Sequence, residues 1–275
     1  MILGYITVNI DPFAIHFPES WGIGGIRWYG ICYVINFFLV QFFLTFYSRR
    51  KISSLTSIQN DALLLYVALG VVIGGRLGHC LLYNWEIFST NPLIFFQVWR
   101  GGMASHGGFV GVILAILYFA RKFHCDTFCI ADIICSIIPL CLMVGRLGNF
   151  VNGELIGRIT NVPWGIIYGH GLGLLVRHPS SLYEAFFEGF LPFIVLQVII
   201  WRKNFRSGQL SGLFLILYSM GRIGCEYFRE PDAGLIFGMT RGQFFSIFLF
   251  LLGIILLFYL KSVGRRGKLH LLHER

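Results

Sequence analysis

Residues 243–260 read QFFSIFLFLLGIILLFYL, eighteen positions without a charged side chain. A transmembrane helix needs about 20 predominantly apolar residues to cross a hydrocarbon core about 30 Å thick. Long apolar stretches recur along the chain, and the pattern predicts spans at 23–47, 61–83, 106–120, 127–145, 182–201, 210–228 and 243–260. The predicted fold class is therefore an all-α integral membrane protein with about seven transmembrane helices.

The composition agrees with a bilayer as solvent. Of the 275 residues, 56% are hydrophobic and only 13% are charged, whereas soluble domains carry about 25% charged residues. The net charge of +9 does not indicate nucleic acid, because the cations form short clusters between the apolar stretches. The eight histidines are dispersed and form no His-Glu-x-x-His motif, so no metal and no cofactor is expected.

The basic clusters predict the orientation. The four connections that follow the first, third, fifth and seventh spans hold 13 of the 22 Lys and Arg residues, and they include every lysine. By the positive-inside rule that side is cytoplasmic, which places the C-terminus in the cytoplasm and the N-terminus outside, in the periplasm. We expect a single polytopic domain over residues 1–275, with an outer-side loop region around 146–181.

One tetrapeptide, Gly-Arg-[Leu/Ile]-Gly, occurs three times, at 75–78, 145–148 and 221–224. Its arginines, Arg76, Arg146 and Arg222, fall in the outward halves of three spans that run from inside to outside. An unpaired arginine within a span costs at least about 2.5–3.5 kcal/mol. The structural alternative is that each arginine extends to the membrane interface (snorkels) or pairs with a structural acid. Three arginines at one depth favour an anion site facing the outer leaflet.

The sixth span carries a polar stripe. Tyr218, Arg222, Glu226 and Arg229 are spaced to share one helix face. Glu226 is either a structural partner of Arg222 or the residue that orients a functional Arg222, and the spacing leaves both open.

Two histidines stand at predicted helix starts on the outer side. His106 lies between Ser105 and two glycines, and a neutral histidine can accept a proton from a nucleophile. His178 precedes Pro179, which fits a helix-entry role better. Between them, residues 146–158 concentrate two Arg, two Asn, one Glu and three Gly, a set suited to clamping a headgroup.

These motifs resemble the prolipoprotein diacylglyceryl transferase family, in family order over nearly the whole chain. The matching stretches are Trp-Tyr-Gly at 28–30, His-Gly-Gly at 106–108, the block 145–158, Arg-His-Pro-Ser at 177–180, Leu-Tyr-Glu at 182–184 and Glu-Tyr-Phe-Arg-Glu-Pro-Asp at 226–232.

The resemblance implies a multi-pass enzyme of the bacterial inner membrane with its active site toward the periplasm. Its substrates would be phosphatidylglycerol and prolipoprotein signal peptides with a lipobox cysteine, among other membrane lipids and without nucleic acid. It would move the diacylglyceryl group to the cysteine thiol and release glycerol phosphate, the first step of lipoprotein maturation. Among the matched positions, the implied catalytic residues are His106, Arg222, Glu226 and Tyr29. The predicted substrate-binding residues are Arg146, Asn149, Glu154, Gly157, Tyr218 and, from the repeated tetrapeptide, Arg76.

Two other classes fit parts of the pattern. A lipid or anion transporter also needs arginines within its spans, but its polar groups would continue across the midplane to the inner side. A structural scaffold would not require three buried arginines. The outward clustering and the resemblance both favour the enzyme, while the identity of the general base, His106 or another group, stays open.

Overall fold

The computed structural model describes residues 4–18, 20, 24–82, 84–97, 102–169, 174–203, 205–231 and 234–262. The side chains of Leu82, Ser105 and His106 lie outside this description. The helices are α1 (Trp28–Arg49), α2 (Ser57–Leu82), α3 (Trp85–Thr90), a 3₁₀ turn (Pro92–Phe96), α4 (Ser105–Lys122), α5 (Thr127–Val151), α6 (Ser180–Glu184), a π turn (Ala185–Phe190), α7 (Leu191–Arg202), α8 (Gln209–Glu226) and α9 (Arg241–Ser262). The strands are β1 (Ile6–Val8), β2 (Phe13–His16), β3 (Gly25–Arg27), β4 (Ile166–Tyr168) and β5 (Val176–Arg177).

Reciprocal capping fixes where two of the long helices begin. Before α9, the Thr240 backbone N–H donates to Gln243 Oε1 at 3.1 Å, and the Gln243 N–H donates to Thr240 Oγ1 at 3.2 Å. Thr56 and Gln59 form the same pair of bonds before α2. Such capping boxes satisfy backbone donors that the first helical turn would otherwise leave unpaired.

The chain divides into two compact units, one from Met1–Leu39 with Ile134–Lys268 and the other mainly Val40–Ile133. In the second of these, α2 packs on α4 through glycines. A Cβ built on Gly70 would lie 2.6 Å from the carbonyl oxygen of Gly111, and one on Gly78 would lie 2.8 Å from the Cα of Gly107. Small residues at such positions let two membrane helices approach backbone to backbone.

The other unit holds the five strands of the described residues. The order β1-β4-β5 forms a small sheet in which β1 pairs parallel to β4 and β4 antiparallel to β5, and β2 and β3 form a separate antiparallel pair. Strands β4 and β5 lie in the segment between α5 and α6. The sequence analysis did not predict these short strands.

Five helices are long and apolar enough to cross a membrane, considering the described part of the chain: Trp28–Arg49, Ser57–Leu81, Thr127–Val151, Ser180–Arg202 and Arg241–Ser262. The mostly helical architecture and these five helices confirm the coarse prediction of a helical membrane protein. Helices α4 and α8 match the third and sixth predicted spans in position but are not among the five. The count of seven spans and their orientation therefore stay predictions.

Candidate functional site

Six charged side chains from three helices and two adjoining segments meet in the unit Met1–Leu39 with Ile134–Lys268. We call this set the arginine–glutamate cluster; its members are Arg146 on α5, Glu184 on α6, Glu188 in the π turn, Arg222 and Glu226 on α8, and Arg229 just after α8.

Arg146 binds two carboxylates through different N–H groups of its guanidinium. Its Nε and Nη2 donate to Glu188 Oε2 at 3.2 and 2.8 Å, and its Nη1 lies 3.0 Å from Glu184 Oε2. Two parallel N–H groups directed at one carboxylate give a strong, well-oriented contact. The same donor geometry suits a phosphate oxygen.

Arg222 meets three carboxylates. Its Nη1 donates to Glu184 Oε1 at 2.6 Å and to Glu188 Oε1 at 3.2 Å. Its Nη2 pairs with Glu226 one helical turn further along α8. The sequence analysis predicted this pair, and the structure adds the two glutamates from the neighbouring helix.

The cluster is buried and formally neutral. The side chains of Glu184 and Glu188 have no exposed surface, and those of Arg146 and Arg222 are only 16% and 12% exposed. Buried charges are tolerated when each is paired and hydrogen-bonded. Each of the six charges has at least one partner of opposite sign in the cluster, and the side chains of Arg146 and Arg222 keep a small accessible surface.

Close backbone contacts bring these helices together. A Cβ on Gly189 would lie 2.6 Å from the Cβ of Met143 on α5, and one on Gly221 would lie 2.8 Å from the carbonyl carbon of Phe187. At the start of α9, a Cβ on Gly242 would lie 2.6 Å from Cδ of Glu226. Glycine at these three positions thus allows α5, α8 and α9 to close on the cluster.

Polar residues extend from Arg146 along and beyond the end of α5. Asn149 Nδ2 donates to Glu154 Oε2 at 2.8 Å, and Asn152 Nδ2 donates to Glu154 Oε1 at 3.3 Å. Tyr29 at the start of α1 packs beside Gly148 and lies 3.4 Å from Tyr33, hydroxyl to hydroxyl. The carboxylate of Glu154 is thereby held by two amides and remains exposed.

Two further predicted residues are placed by packing. Tyr218 on α8 stacks at a tilt on Phe214 and lies within electrostatic range of Glu188 and Arg222. Gly157 lies against His178, where an added Cβ would come within 2.8 Å of the His178 Cβ. The bridge between Gly157 and Arg229 then ties the segment after α5 to the end of α8.

The segment around His178 is held by aromatic and polar contacts. Tyr183 Oη lies 3.3 Å from His178 Nδ1 and accepts a hydrogen bond from Trp164 Nε1 at 2.6 Å. Phe228 packs edge-on against the His178 ring. Burial lowers the pKa of His178, because desolvation disfavours the imidazolium. These contacts fit the helix-entry role.

Arg76 belongs to the other unit and has a different set of partners. Its Nε donates to the Phe95 carbonyl at 3.0 Å, its Nη1 to that of Gly102 at 3.0 Å, and its Nη2 to those of Ile94 and Gln97 at 2.5 and 3.0 Å. The side chain is buried. These contacts organise backbone ahead of α4, and substrate binding by Arg76 stays a prediction.

His106 is the second residue of α4, in the same unit as Arg76. Its side chain lies outside the described residues, so its predicted role as the base stays a prediction. No group of three or more His, Cys, Asp or Glu that could hold a metal ion occurs in the part of the chain that the structure describes.

Sequence reasoning missed Glu184 and Glu188 as site residues. The signal was available, since both are acids within the predicted span 182–201 and lie four residues apart. An ionisable residue inside a span is a functional candidate by default, and it needs a partner. Which partner it meets depends on helix packing, which one sequence does not show.

Comparisons with known proteins point to one family. The family model described as prolipoprotein diacylglyceryl transferase matches residues 18–259. A protein of Photobacterium profundum named phosphatidylglycerol–prolipoprotein diacylglyceryl transferase is 43% identical over 263 residues, covering 94% of this chain and 97% of its own. Proteins of the same name from Aeromonas hydrophila and Chromohalobacter salexigens are 40% and 44% identical, covering 92% and 90% of this chain and 91% of their own in both cases. The chain belongs to the prolipoprotein diacylglyceryl transferase family.

Proposed function

We propose that this protein transfers the diacylglyceryl group of phosphatidylglycerol to the thiol of the lipobox cysteine of a prolipoprotein, the first step of lipoprotein maturation. The observation that carries the assignment of the site is the pair Arg146 and Arg222. The two guanidiniums share the carboxylates of Glu184 and Glu188, and the two side chains keep a small accessible surface.

The chemistry needs a positively charged, poorly hydrated pocket. The cysteine thiolate attacks the glycerol carbon that bears the phosphoester, a C–S bond forms, the C–O bond breaks, and glycerol phosphate leaves with the electron pair. The headgroup phosphodiester carries one negative charge, and the departing phosphomonoester develops more. Fixed cationic donors that stabilise charge as it develops supply a large part of catalysis. Arg146 and Arg222 have the donor geometry for this task.

The thiol also needs a proton acceptor. An unperturbed cysteine has a pKa of about 8.5, so only a few per cent is thiolate at neutral pH. His106 is the proposed base, on the basis of the family resemblance. Glu226 would orient Arg222, with which it pairs on α8.

The remaining roles concern the headgroup and its surroundings. Asn149 and Glu154 form a hydrogen-bonded pair beside the end of α5, suited to contacting glycerol hydroxyls. Tyr29 and Tyr218 would line the same site, and Gly157 would let the outer segment close on it. The contacts of Arg76 favour a role in holding backbone over direct headgroup binding.

The proposed location is the bacterial inner membrane with the site toward the periplasm. A variant that lacks the seven native cysteines would receive single cysteines at Arg50 and at Asn161. In intact cells we expect an impermeant maleimide to label position 161 and to label position 50 only after permeabilisation. The reverse pattern would overturn the orientation. Arg265, on the predicted cytoplasmic tail, lies outside the described residues.

The decisive experiment is reconstitution. Purified protein is incubated with phosphatidylglycerol and a peptide that contains a lipobox cysteine, and mass spectrometry follows the diacylglyceryl adduct on the thiol. A cysteine-to-serine peptide is the matched control. Release of glycerol phosphate in step with the adduct supports transfer. Movement of phosphatidylglycerol between leaflets without an adduct would support the transporter alternative.

A further inference from the structure

Glu188 is a buried acid that the family motifs quoted above do not include. It lies in the π turn Ala185–Phe190, within the continuous helix Ser180–Arg202. The Leu191 N–H donates to the carbonyl of Phe186, five residues back, which is the bond of a π turn. Such turns interrupt α-helices rarely and occur often at functional sites.

The two oxygens of Glu188 are divided between two arginines. Oε2 accepts from Arg146 Nε and Nη2 at 3.2 and 2.8 Å, and Oε1 accepts from Arg222 Nη1 at 3.2 Å. Because the two oxygens belong to one rigid carboxylate, these bonds fix the position of one guanidinium relative to the other. Glu184 spans the same two arginines, with Oε2 on Arg146 and Oε1 on Arg222, but it differs in that its Oε1 is shared with Arg229 at 3.2 Å.

The backbone around Glu188 supports the same conclusion. The turn contacts α5 at Met143, three residues before Arg146, and α8 at Gly221, the neighbour of Arg222. The backbone nitrogen of Glu188 would lie 3.3 Å from a Cβ on Gly221. The turn that carries the carboxylate therefore also spaces the two helices that carry the arginines.

We infer that Glu188 is a positioning residue for transfer, which sets the spacing of Arg146 and Arg222 at which both can bind one phosphate group. This inference rests on the proposed function. It assigns Glu188 no proton transfer and no contact with substrate. It also separates Glu188 from a carboxylate that merely neutralises charge, because a neutralising group would not need one oxygen for each arginine.

The test compares Glu188→Gln and Glu188→Asp with the wild type in the reconstituted assay. Glu188→Gln keeps the shape of the side chain but removes the charge and presents an amide to one arginine. We expect kcat to fall about 100-fold or more, the size of effect seen when one preorganised electrostatic contact is lost. Glu188→Asp keeps the charge and should give a kcat between those of Glu188→Gln and the wild type. Glu86→Gln, an exposed glutamate on α3, is the matched control.

Three readouts decide the outcome. The expected result is a fall in kcat with a smaller change in KM for phosphatidylglycerol and an unchanged KM for the peptide. A lower KM for phosphatidylglycerol at unchanged kcat would show that Glu188 competes with the headgroup, and would overturn the inference. The inference would also be overturned if the loss of activity followed a loss of thermal stability and was recovered on cooling. A Glu188→Asp variant with the kcat of the wild type would overturn it as well.

Failure of the inference and failure of the proposed function give different results. If the wild type forms no adduct, the proposed function is wrong. If the wild type is active and Glu188→Gln matches it, only the inference is wrong. Should Glu188→Gln fail to fold, the Glu188→Asp variant decides alone, since it retains the formal balance of the cluster.

Discussion

The arginines in two copies of one tetrapeptide contact groups of different chemistry. In the first copy, Arg76 donates to four backbone carbonyls around Phe95 and Gly102. In the second, Arg146 is held by the carboxylates of Glu184 and Glu188. Both side chains are largely buried, but the partners described for Arg76 are carbonyl dipoles, whereas those of Arg146 are carboxylates that compensate its charge.

The difference concerns whether each arginine can exchange a present hydrogen-bond partner for a substrate anion. An arginine that donates to backbone carbonyls of the surrounding chain must break local structure to bind a new partner. An arginine in a cluster of several carboxylates can share its donors with an additional anion while the other arginines hold the carboxylates. The third copy supports this distinction, because Arg222 also pairs with glutamates and its side chain also retains a small accessible surface. Burial of an arginine in a span therefore indicates function only together with the identity of its partners.

The largest effect is expected from removing Arg146. Arg146→Ala should lower turnover by about 100- to 1,000-fold, because a preorganised cationic donor at the developing phosphate charge is lost. Arg146→Lys should recover little, since an ammonium group cannot make the paired contact of a guanidinium. Turnover and phosphatidylglycerol binding are measured in detergent, with thermal unfolding as the check on folding.

The control for Arg146 is an arginine outside the cluster. Arg121, exposed near the end of α4, should tolerate alanine with turnover within about twofold, as surface substitutions usually do. Near-normal turnover in Arg146→Ala would contradict the assignment. It would indicate that Arg146, like Arg76, has a structural role.

The next effect separates chemistry from charge balance on α8. Arg222→Met alone leaves the carboxylate of Glu226 without its partner on α8, and breaking a buried pair costs about 3–5 kcal/mol. The double variant Arg222→Met/Glu226→Gln removes one charge of each sign, so it should be more stable than Arg222→Met. We still expect its turnover to fall about 100-fold, since one phosphate-stabilising donor is missing. Thermal stability and turnover are measured for both singles and the double.

A stable double variant with substantial turnover would show that the pair is scaffolding. Arg146 and His106 would then have to account for the chemistry. The comparison between carbonyl-bound and carboxylate-bound arginines would hold for Arg146 alone.

Arg76 should respond through stability. Arg76→Met removes the donor that four backbone carbonyls share, and each buried acceptor left unsatisfied costs about 1–3 kcal/mol. We expect a lower unfolding temperature and a loss of turnover that tracks the fraction unfolded, with an unchanged KM for phosphatidylglycerol in the folded protein. A stable Arg76→Met variant with a raised KM would instead support the headgroup role predicted from the repeated tetrapeptide.

The helices could be predicted well from the sequence because an apolar run of sufficient length has few alternatives in a bilayer. Helix α9 at Arg241–Ser262 closely matches the predicted span 243–260. The ends are less well predicted. Helix α5 continues to Val151, past the predicted end at 145, because the glutamates of the neighbouring helix compensate the charge of Arg146. The first span was predicted from 23, but residues 25–27 form β3, which pairs with β2.

The candidate site could be predicted in part. The stripe on α8 correctly anticipated that Arg222 and Glu226 pair, since residues four apart on a helix face each other. The two glutamates at the centre of the cluster could not be placed, because their partners lie 34 to 45 residues away in sequence. The repeated tetrapeptide suggested one role for three arginines, and it contains no information about whether a carbonyl or a carboxylate lies opposite.

The smallest effect comes from the second glycine of each copy, which meets a different neighbour each time. A Cβ on Gly78 would lie 2.8 Å from the Cα of Gly107, a backbone atom that cannot move without α4. On Gly148 it would lie 2.9 Å from Sγ of Cys32, a side-chain end that can rotate away, and on Gly224 it would meet nothing within 4 Å.

Gly78→Ala should therefore destabilise by about 1–3 kcal/mol, the usual cost of overpacking. Gly148→Ala should cost less. Gly224→Ala should be neutral or stabilising by up to about 1 kcal/mol, because alanine is the better helix former. Thermal unfolding of the three variants in one detergent gives the order directly. Equal losses of stability at all three positions would mean that the glycine has the same role in every copy of the tetrapeptide. The copies would then differ only in the partners of their arginines.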